Sequence, residues 1–160
     1  MRWFTADQHF DHFNVISLCD RPFSSLEEMH ETLIANWNSV VSSSDIVYVL
    51  GDFSYRGKSE SIDRHLRALK GRKVLMYGNH DRVIRREPAL QSHFESCHDY
   101  LEMHVQDPTV PHGRLFMVLQ HYPLLSWNGS RRGSVHLHGH SHGTTRYPFN
   151  GRIIDRKSVV

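Results

Sequence analysis

Ile46-Val47-Tyr48-Val49-Leu50-Gly51-Asp52 is the stretch that decides the fold class. A continuous β-branched and apolar run of this length, closed by a turn signal, reads as a strand covered on both faces. Lys73-Val74-Leu75-Met76-Tyr77 is a second such strand and ends at Gly78-Asn79-His80-Asp81, while the shorter Arg2 to Ala6 ends at Asp7-Gln8-His9. Before Ile46, residues Leu26, Met29, Leu33, Ile34, Trp37, Val40 and Val41 recur at the three-and-four spacing of a helix with one buried face. Ser25 with Glu28 offers a capping box at its start, and Ser42 to Asp45 a polar turn at its end. A second helix is expected over Ser59 to Leu69, with Ile62, Leu66 and Leu69 inward and Gly71 as its C-terminal cap. Strand, helix, strand, helix, strand is the alternation of α/β layering.

The second half reads differently. Tyr100 to Val105, Leu115 to Gln120, Val135 to Leu137 and Arg152 to Ile154 look like strands, and Glu87 to Phe94 is the single weak helical candidate. The stretch from Trp127 to Gly133 reads as a surface loop that overhangs a site. A chain of 160 residues has room for one domain with a real core, so residues 1–160 are expected to form a single domain. Its formal net charge of +2, from 19 basic and 17 acidic residues, gives no electrostatic reason to expect non-specific nucleic-acid or membrane binding. Cys19 and Cys97 are too few for a zinc cluster or a disulfide framework and read as reduced thiols. Without a secretion signal or an apolar run of the ~20 residues a membrane span needs, a cytoplasmic location is the default expectation.

The 14 histidines are the unusual feature, because they recur with acids and glycines where strand-like runs stop. Five clusters stand out: Asp7-Gln8-His9, Gly51-Asp52, Gly78-Asn79-His80-Asp81, His121, and Gly139-His140-Ser141-His142. In layered α/β folds that strand edge is where ligands bind. Carboxylates and imidazoles without thiolates suit divalent Mn, Fe, Zn or Ni. If the backbone is extended at Asp7-x-His9 and His140-x-His142, both members of each pair point to one side. Taken singly the clusters are weak, since Gly-Asp is ordinary turn chemistry. The exception is His136-Leu137-His138-Gly139-His140-Ser141-His142, whose alternating histidines have no packing rationale. Within it His136 and His138 alternate away from the metals, and His30, His65, His93, His98, His104 and His112 carry no case beyond surface or satisfied core positions.

The ordered set Asp-x-His, Gly-Asp, Gly-Asn-His-Asp, His, Gly-His-x-His, running from Asp7 to His142, resembles the calcineurin-like metallophosphoesterase family. The opening Phe4-Thr5-Ala6-Asp7-Gln8-His9-Phe10-Asp11-His12, followed by Arg21-Pro22-Phe23, resembles its small single-domain bacterial and phage members. The resemblance implies an α/β fold, a four-layer αββα sandwich with two stacked mixed β-sheets. It implies two divalent metal ions, Mn²⁺ first and Fe, Zn, Ni or Mg as alternatives, roughly 3.5–4 Å apart. Asp7, His9 and His142 match the ligands of one ion, Asn79, His121 and His140 those of the other, and Asp52 the bridging carboxylate. His80 matches a histidine that meets the substrate phosphate, and Asp81 the acid that orients it.

The reaction implied is attack of a metal-bridging hydroxide on a phosphodiester or phosphomonoester, most simply of a small nucleotide-like substrate. His12, Asn14, Arg56, Arg131 and Arg132 are substrate-facing candidates, each with a loop-fixing or solvated alternative. Two other functions compete: a metal-bound scaffold that works through a partner, which the intact His80-Asp81 pair argues against, and a nuclease, which would need a basic track the sequence lacks. With a short polar end from Lys157 to Val160, the edge of the second sheet is expected to be incomplete, and a homodimer is the expected way to cover it.

Overall fold

The computed structural model describes residues 1–144 and 153–155. Four strands, β1 (Arg2–Thr5), β2 (Ile46–Val49), β3 (Arg72–Met76) and β4 (Ser96–His98), lie side by side in that order and pair in parallel throughout. Parallel neighbours need a crossover, and helices supply each one. The single turn α1 (Val15–Leu18) and the long α2 (Leu26–Val40) join β1 to β2, and α3 (Ser59–Ala68) joins β2 to β3. The short α4 (Arg82–Arg86) and α5 (Pro88–Gln91) join β3 to β4. The second sheet has the order β5 (Leu101–Gln106), β6 (Arg114–Leu119), β7 (Val135–His138), β8 (Ile153–Asp155). It is mixed: β5 and β6 are antiparallel, and the other two pairings are parallel. Arg152, expected to open the last strand, and the tail from Lys157 to Val160 lie outside the described residues.

The β2 run earns its two-sided reading residue by residue. Val47 and Val49 point to the helices and pack with Met29 and Leu33 of α2 and Ile62 and Leu66 of α3. Tyr48 and Leu50 point the other way, with Ala6, Val74 and Met76, onto Met117, Leu119, Val135 and Leu137 of the second sheet. Alternation of period two thus splits one apolar run between two cores, each fully buried side chain contributing roughly 1.5–3 kcal/mol. The buried ammonium of Lys73 is satisfied by the carbonyls of Leu69 at 2.9 Å and Gly71 at 3.0 Å, just past the end of α3. Among the described residues no helix is long and apolar enough to cross a membrane.

Three local readings are revised. Ser25 caps α2 by accepting the Glu28 N–H at 3.1 Å, but the Glu28 carboxylate turns to Ser24, taking its N–H at 2.8 Å and its hydroxyl at 2.6 Å. The helix α4 was not expected, because five residues offer no period to read and only Ile84 is buried. The loop from Trp127 to Gly133 does not overhang the strand edge where the histidines cluster. The chain runs back from the end of β6 to the start of β7, so Trp127 covers the outer face of the second sheet, its ring 5.3 Å from that of His136.

Candidate metal centre

All five polar clusters fall at the C-terminal ends of β1, β2, β3, β6 and β7, which lie at one edge of the stacked sheets. The segments after β1 and β2 continue side by side: Asp7 N–H donates to Gly51 O at 3.0 Å, His9 N–H to Asp52 O at 3.0 Å and Phe10 N–H to Phe53 O at 2.9 Å. The backbone here is not extended. Asp7, His9, Asp52, His140 and His142 all have positive φ, between 48° and 69°. The left-handed region costs a non-glycine residue about 1–2 kcal/mol, so the surroundings must enforce it. Arg21 is one such enforcer, its guanidinium donating to Gln8 O at 2.8 Å and Asp7 O at 2.6 Å. Gly51 and Gly139 are others: a Cβ on Gly51 would run into the His121 ring, and one on Gly139 would lie 2.7 Å from both Ala6 Cβ and Asp7 Oδ2. Tight packing of chain ends, rather than the alternation of a strand, brings these side chains together.

Two overlapping sets result. In the first, Asp7, His9 and His142 converge: His9 Nε2 and His142 Nε2 face each other at 3.2 Å, and each lies 3.9 Å from Asp7 Oδ1. In the second, Asp52, His121 and His140 converge, with His121 Nε2 3.4 Å from Asp52 Oδ2. Asn79 Oδ1 sits between the rings of the second set, 3.2 Å from His121 Nε2 and 3.1 Å from His140 Nδ1. Asp52 belongs to both, since His9 Nε2 is 3.7 Å from the same Oδ2. The fully buried His121 donates through Nδ1 to Leu50 O at 2.8 Å, so its Nε2 is presented to two oxygens. A cation among those atoms resolves that arrangement, and a carbonyl fixing the far nitrogen is how metal-binding imidazoles are commonly oriented.

Burial sets the charges. It pushes Asp7 up to about 7 against the pull of His121 and the His140 N–H. It drives His9 down to about 3, leaving a neutral imidazole with a lone pair to offer. Burial also works upward on Asp52, but the hydrogen bond and charge of His121, together with the His80 N–H and ring, outweigh it and hold the carboxylate at about 2. A divalent ion is the natural counter-charge for carboxylates buried this deeply.

The expected pairing of Asp81 with His80 is corrected. The Asp81 carboxylate turns inward and accepts three backbone N–H groups, from Asp52 at 2.8 Å, Phe53 at 2.9 Å and Gly78 at 2.8 Å. It is a clamp between the β2 and β3 ends, spent on amides that would otherwise be buried unpaired. His80 faces Asp52 instead, its Nε2 3.7 Å from Oδ2 and its backbone N–H donating to Oδ1 at 2.9 Å. His12 lies beside the first set, Nδ1 to Nδ1 of His9 at 3.2 Å, and stacks on Tyr55 at 3.9 Å. Asn14 is exposed at the start of α1. Arg56 shares a cavity with Asn79 and His80.

Arg131 and Arg132 are not brought to this edge. They sit in a turn just before β7 begins, and Arg132 lines a different depression with His104, Arg114 and Phe116. The alternating histidines do have a packing rationale in part: His136 is fully buried against Trp127 and faces Val118 O through Nδ1 at 3.1 Å.

Sequence reading missed Arg21, Tyr55 and Asp155. The last accepts the Ser141 hydroxyl at 2.7 Å and so pins the His140–His142 loop. Asp11, His30 and His65 also gather, but as a hinge pin for the loop: Asp11 accepts Ser61 Oγ at 2.8 Å and its N–H donates to His30 Nε2 at 3.0 Å, which occupies that nitrogen.

Comparison with known proteins gives a consistent picture. Residues 2–155 match the family model described as calcineurin-like phosphoesterase. An uncharacterized protein of Methanocaldococcus jannaschii is 35% identical over 147 residues, covering 90% of this chain and 72% of its own length. The gene 66 protein of Mycobacterium phage D29 is 30% identical over 158 residues, covering 88% of this chain and 77% of the phage protein. Among solved structures, a protein of unknown function from Aquifex aeolicus superposes with a TM-score of 0.65 at 24% identity, over 98% of this chain and 89% of that one. That last likeness is one of fold.

Proposed function

The chain belongs to the calcineurin-like phosphoesterase family, and from that premise we propose that it hydrolyses a phosphodiester or phosphomonoester of a small, nucleotide-like substrate with two divalent cations. The observation that carries the reading is Asp52, whose Oδ2 faces both the His9 side and the His121 side of one cluster. Asp7, His9 and His142 would hold one ion, Asn79, His121 and His140 the other, and Asp52 both. Such ions, when bound, supply an activated water and a Lewis-acid clamp on the phosphoryl oxygens. With two carboxylates among the seven ligands the loaded site stays positive and draws in a phosphate.

The rest is the work of side chains. His80 is partly exposed at the rim, with Asp52 behind it and the Tyr55 ring edge-on at 4.7 Å. It is therefore placed to donate a hydrogen bond to a phosphoryl oxygen, or a proton to the departing one. Asp52 holds the His80 backbone through its N–H at 2.9 Å, and its Oδ2 lies 3.7 Å from the ring, on the side where the resemblance had put Asp81. His12, held between His9 and Tyr55, borders the same opening.

The test is a metal-supplemented screen with Mn²⁺ first, then Fe, Zn, Ni and Mg. The substrates are p-nitrophenyl phosphate, bis-p-nitrophenyl phosphate and the 2′,3′- and 3′,5′-cyclic nucleotides. Turnover that chelation abolishes and metal restores is the expected result, and silence with every metal and substrate sinks the reading. In the same assay His80→Ala should keep its metal and lose ~10²-fold or more in turnover.

A further inference from the structure

Beside the metal centre lies a cavity of about 370 Å³ lined by Tyr55, Arg56, Asn79, His80, Arg82 and Val83. Asn79 and His80 give it a wall in common with the centre, since Asn79 lies between His121 and His140. Its other charged lining groups are two guanidiniums, Arg56 and Arg82, and none of the six lining residues is an acid. Neither arginine has a carboxylate within ion-pair distance among the described residues, whereas Arg67, Arg72 and Arg85 each have one.

The two arginines are also placed by more than chance exposure. Arg56 is exposed, on a backbone held in the left-handed region at φ 54°. Its guanidinium carbon lies 5.2 Å from the centroid of the Tyr55 ring, which in turn stacks on His12 at 3.9 Å and meets His80 edge-on at 4.7 Å. Tyr55 thus lies between Arg56 and His80 and touches both. Arg82 follows Asp81 directly, so the carboxylate clamp on the Asp52, Phe53 and Gly78 amides also fixes where Arg82 starts.

We propose that this cavity is a subsite for a second phosphate, so that the substrates of this chain are phosphoesters carrying a further phosphate about a sugar or an anhydride bridge away. The inference rests on the hydrolase reading above and narrows its substrate class. Guanidiniums bind phosphate oxygens in bidentate pairs, so two of them lining one cavity offer a phosphate matched charge and donors. An aryl phosphate has nothing to offer this wall. A nucleoside bisphosphate or diphosphate does.

The experiment pairs ligands that differ by one phosphate: adenosine 3′,5′-bisphosphate against adenosine 3′-monophosphate, and adenosine 5′-diphosphate against the 5′-monophosphate. Binding is read by calorimetry on the chelated wild-type protein, where nothing turns over, and kcat/KM on the metal-loaded one. At least one doubly phosphorylated ligand should bind about tenfold tighter than its partner, and Arg56→Gln with Arg82→Gln should reduce that ratio to about twofold or less. Equal binding within both pairs, or a preference that survives both substitutions, overturns the subsite. Hydrolysis without preference defeats the subsite and spares the hydrolase reading. An arginine-dependent preference with no hydrolysis of any ester does the reverse.

Discussion

Replacing Asp81 with alanine tests what this buried acid is for. Its carboxylate accepts three amides, those of Asp52, Phe53 and Gly78, at 2.8, 2.9 and 2.8 Å. An unpaired buried donor costs about 1–3 kcal/mol. The lower end of that range applies here, because burial already strains the acid, pushing it up to about 6, and deleting it returns part of that penalty. Three amides then amount to about 3 kcal/mol, a fall in melting temperature of roughly 6–12 °C for a chain of this size. Thermal and urea unfolding of Asp81→Ala measure it. Because the clamp also positions Asp52 and the Gly78-Asn79 turn, the variant should bind Mn²⁺ more weakly than wild type. Were Asp81 the acid that orients His80, stability would hold and only turnover would drop. A variant that melts within 1–2 °C of wild type while losing activity refutes the clamp.

Two further outcomes follow from geometry. Gly139→Ala forces a Cβ to 2.7 Å from Ala6 Cβ and Asp7 Oδ2 and 3.1 Å from Leu50 O, and should cost about 1–3 kcal/mol and weaken Mn²⁺ binding together. Wild-type values of both would show that the strand ends are looser than described. Asp45 accepts the N-terminal ammonium, the Ser42 N–H at 2.9 Å and Trp3 Nε1 at 3.2 Å, and these hold its carboxyl far below the usual range. A depressed folded pKa stabilises the protein above the unfolded value and loses that contribution as pH falls. Urea midpoints should therefore drop more steeply below about pH 4 in wild type than in Asp45→Asn. Parallel curves would remove Asp45 from the acid transition.

The helices and strands that bury a periodic face were legible. Leu26 to Val40 announced itself by spacing, and Ile46 to Val49 by an unbroken apolar run whose two faces serve two cores. The convergence of Asp7, His9 and His142 was legible as chemistry but not as geometry. Positive φ at all three is not forecast by residue type, since aspartate and histidine are enriched in the left-handed region yet adopt it in only a small share of their occurrences. Asp81 was misassigned because the family resemblance paired it with its neighbour His80, while the fold offered it three amides, two of them from the end of β2. Arg131 and Arg132 were expected near the site because they sit in the Trp127 to Gly133 loop, read as overhanging it, yet a residue before a strand lies at the opposite edge from one after it. Tyr55 and Arg21 carried no signal, because their partners are ring faces and backbone carbonyls.

The Asp7 carboxylate also accepts the backbone N–H of His140 at 3.0 Å, a contact between positions 133 apart. A nascent chain therefore cannot assemble the first half of the centre until nearly all of the described sequence has been synthesised. An ion held by Asp7, His9 and His142 would act as a removable cross-link across that span. In the chain-entropy picture, closing a loop of about 100 residues is worth roughly 4.7 kcal/mol. Metal supply would then govern not only whether the protein works but how readily it comes apart.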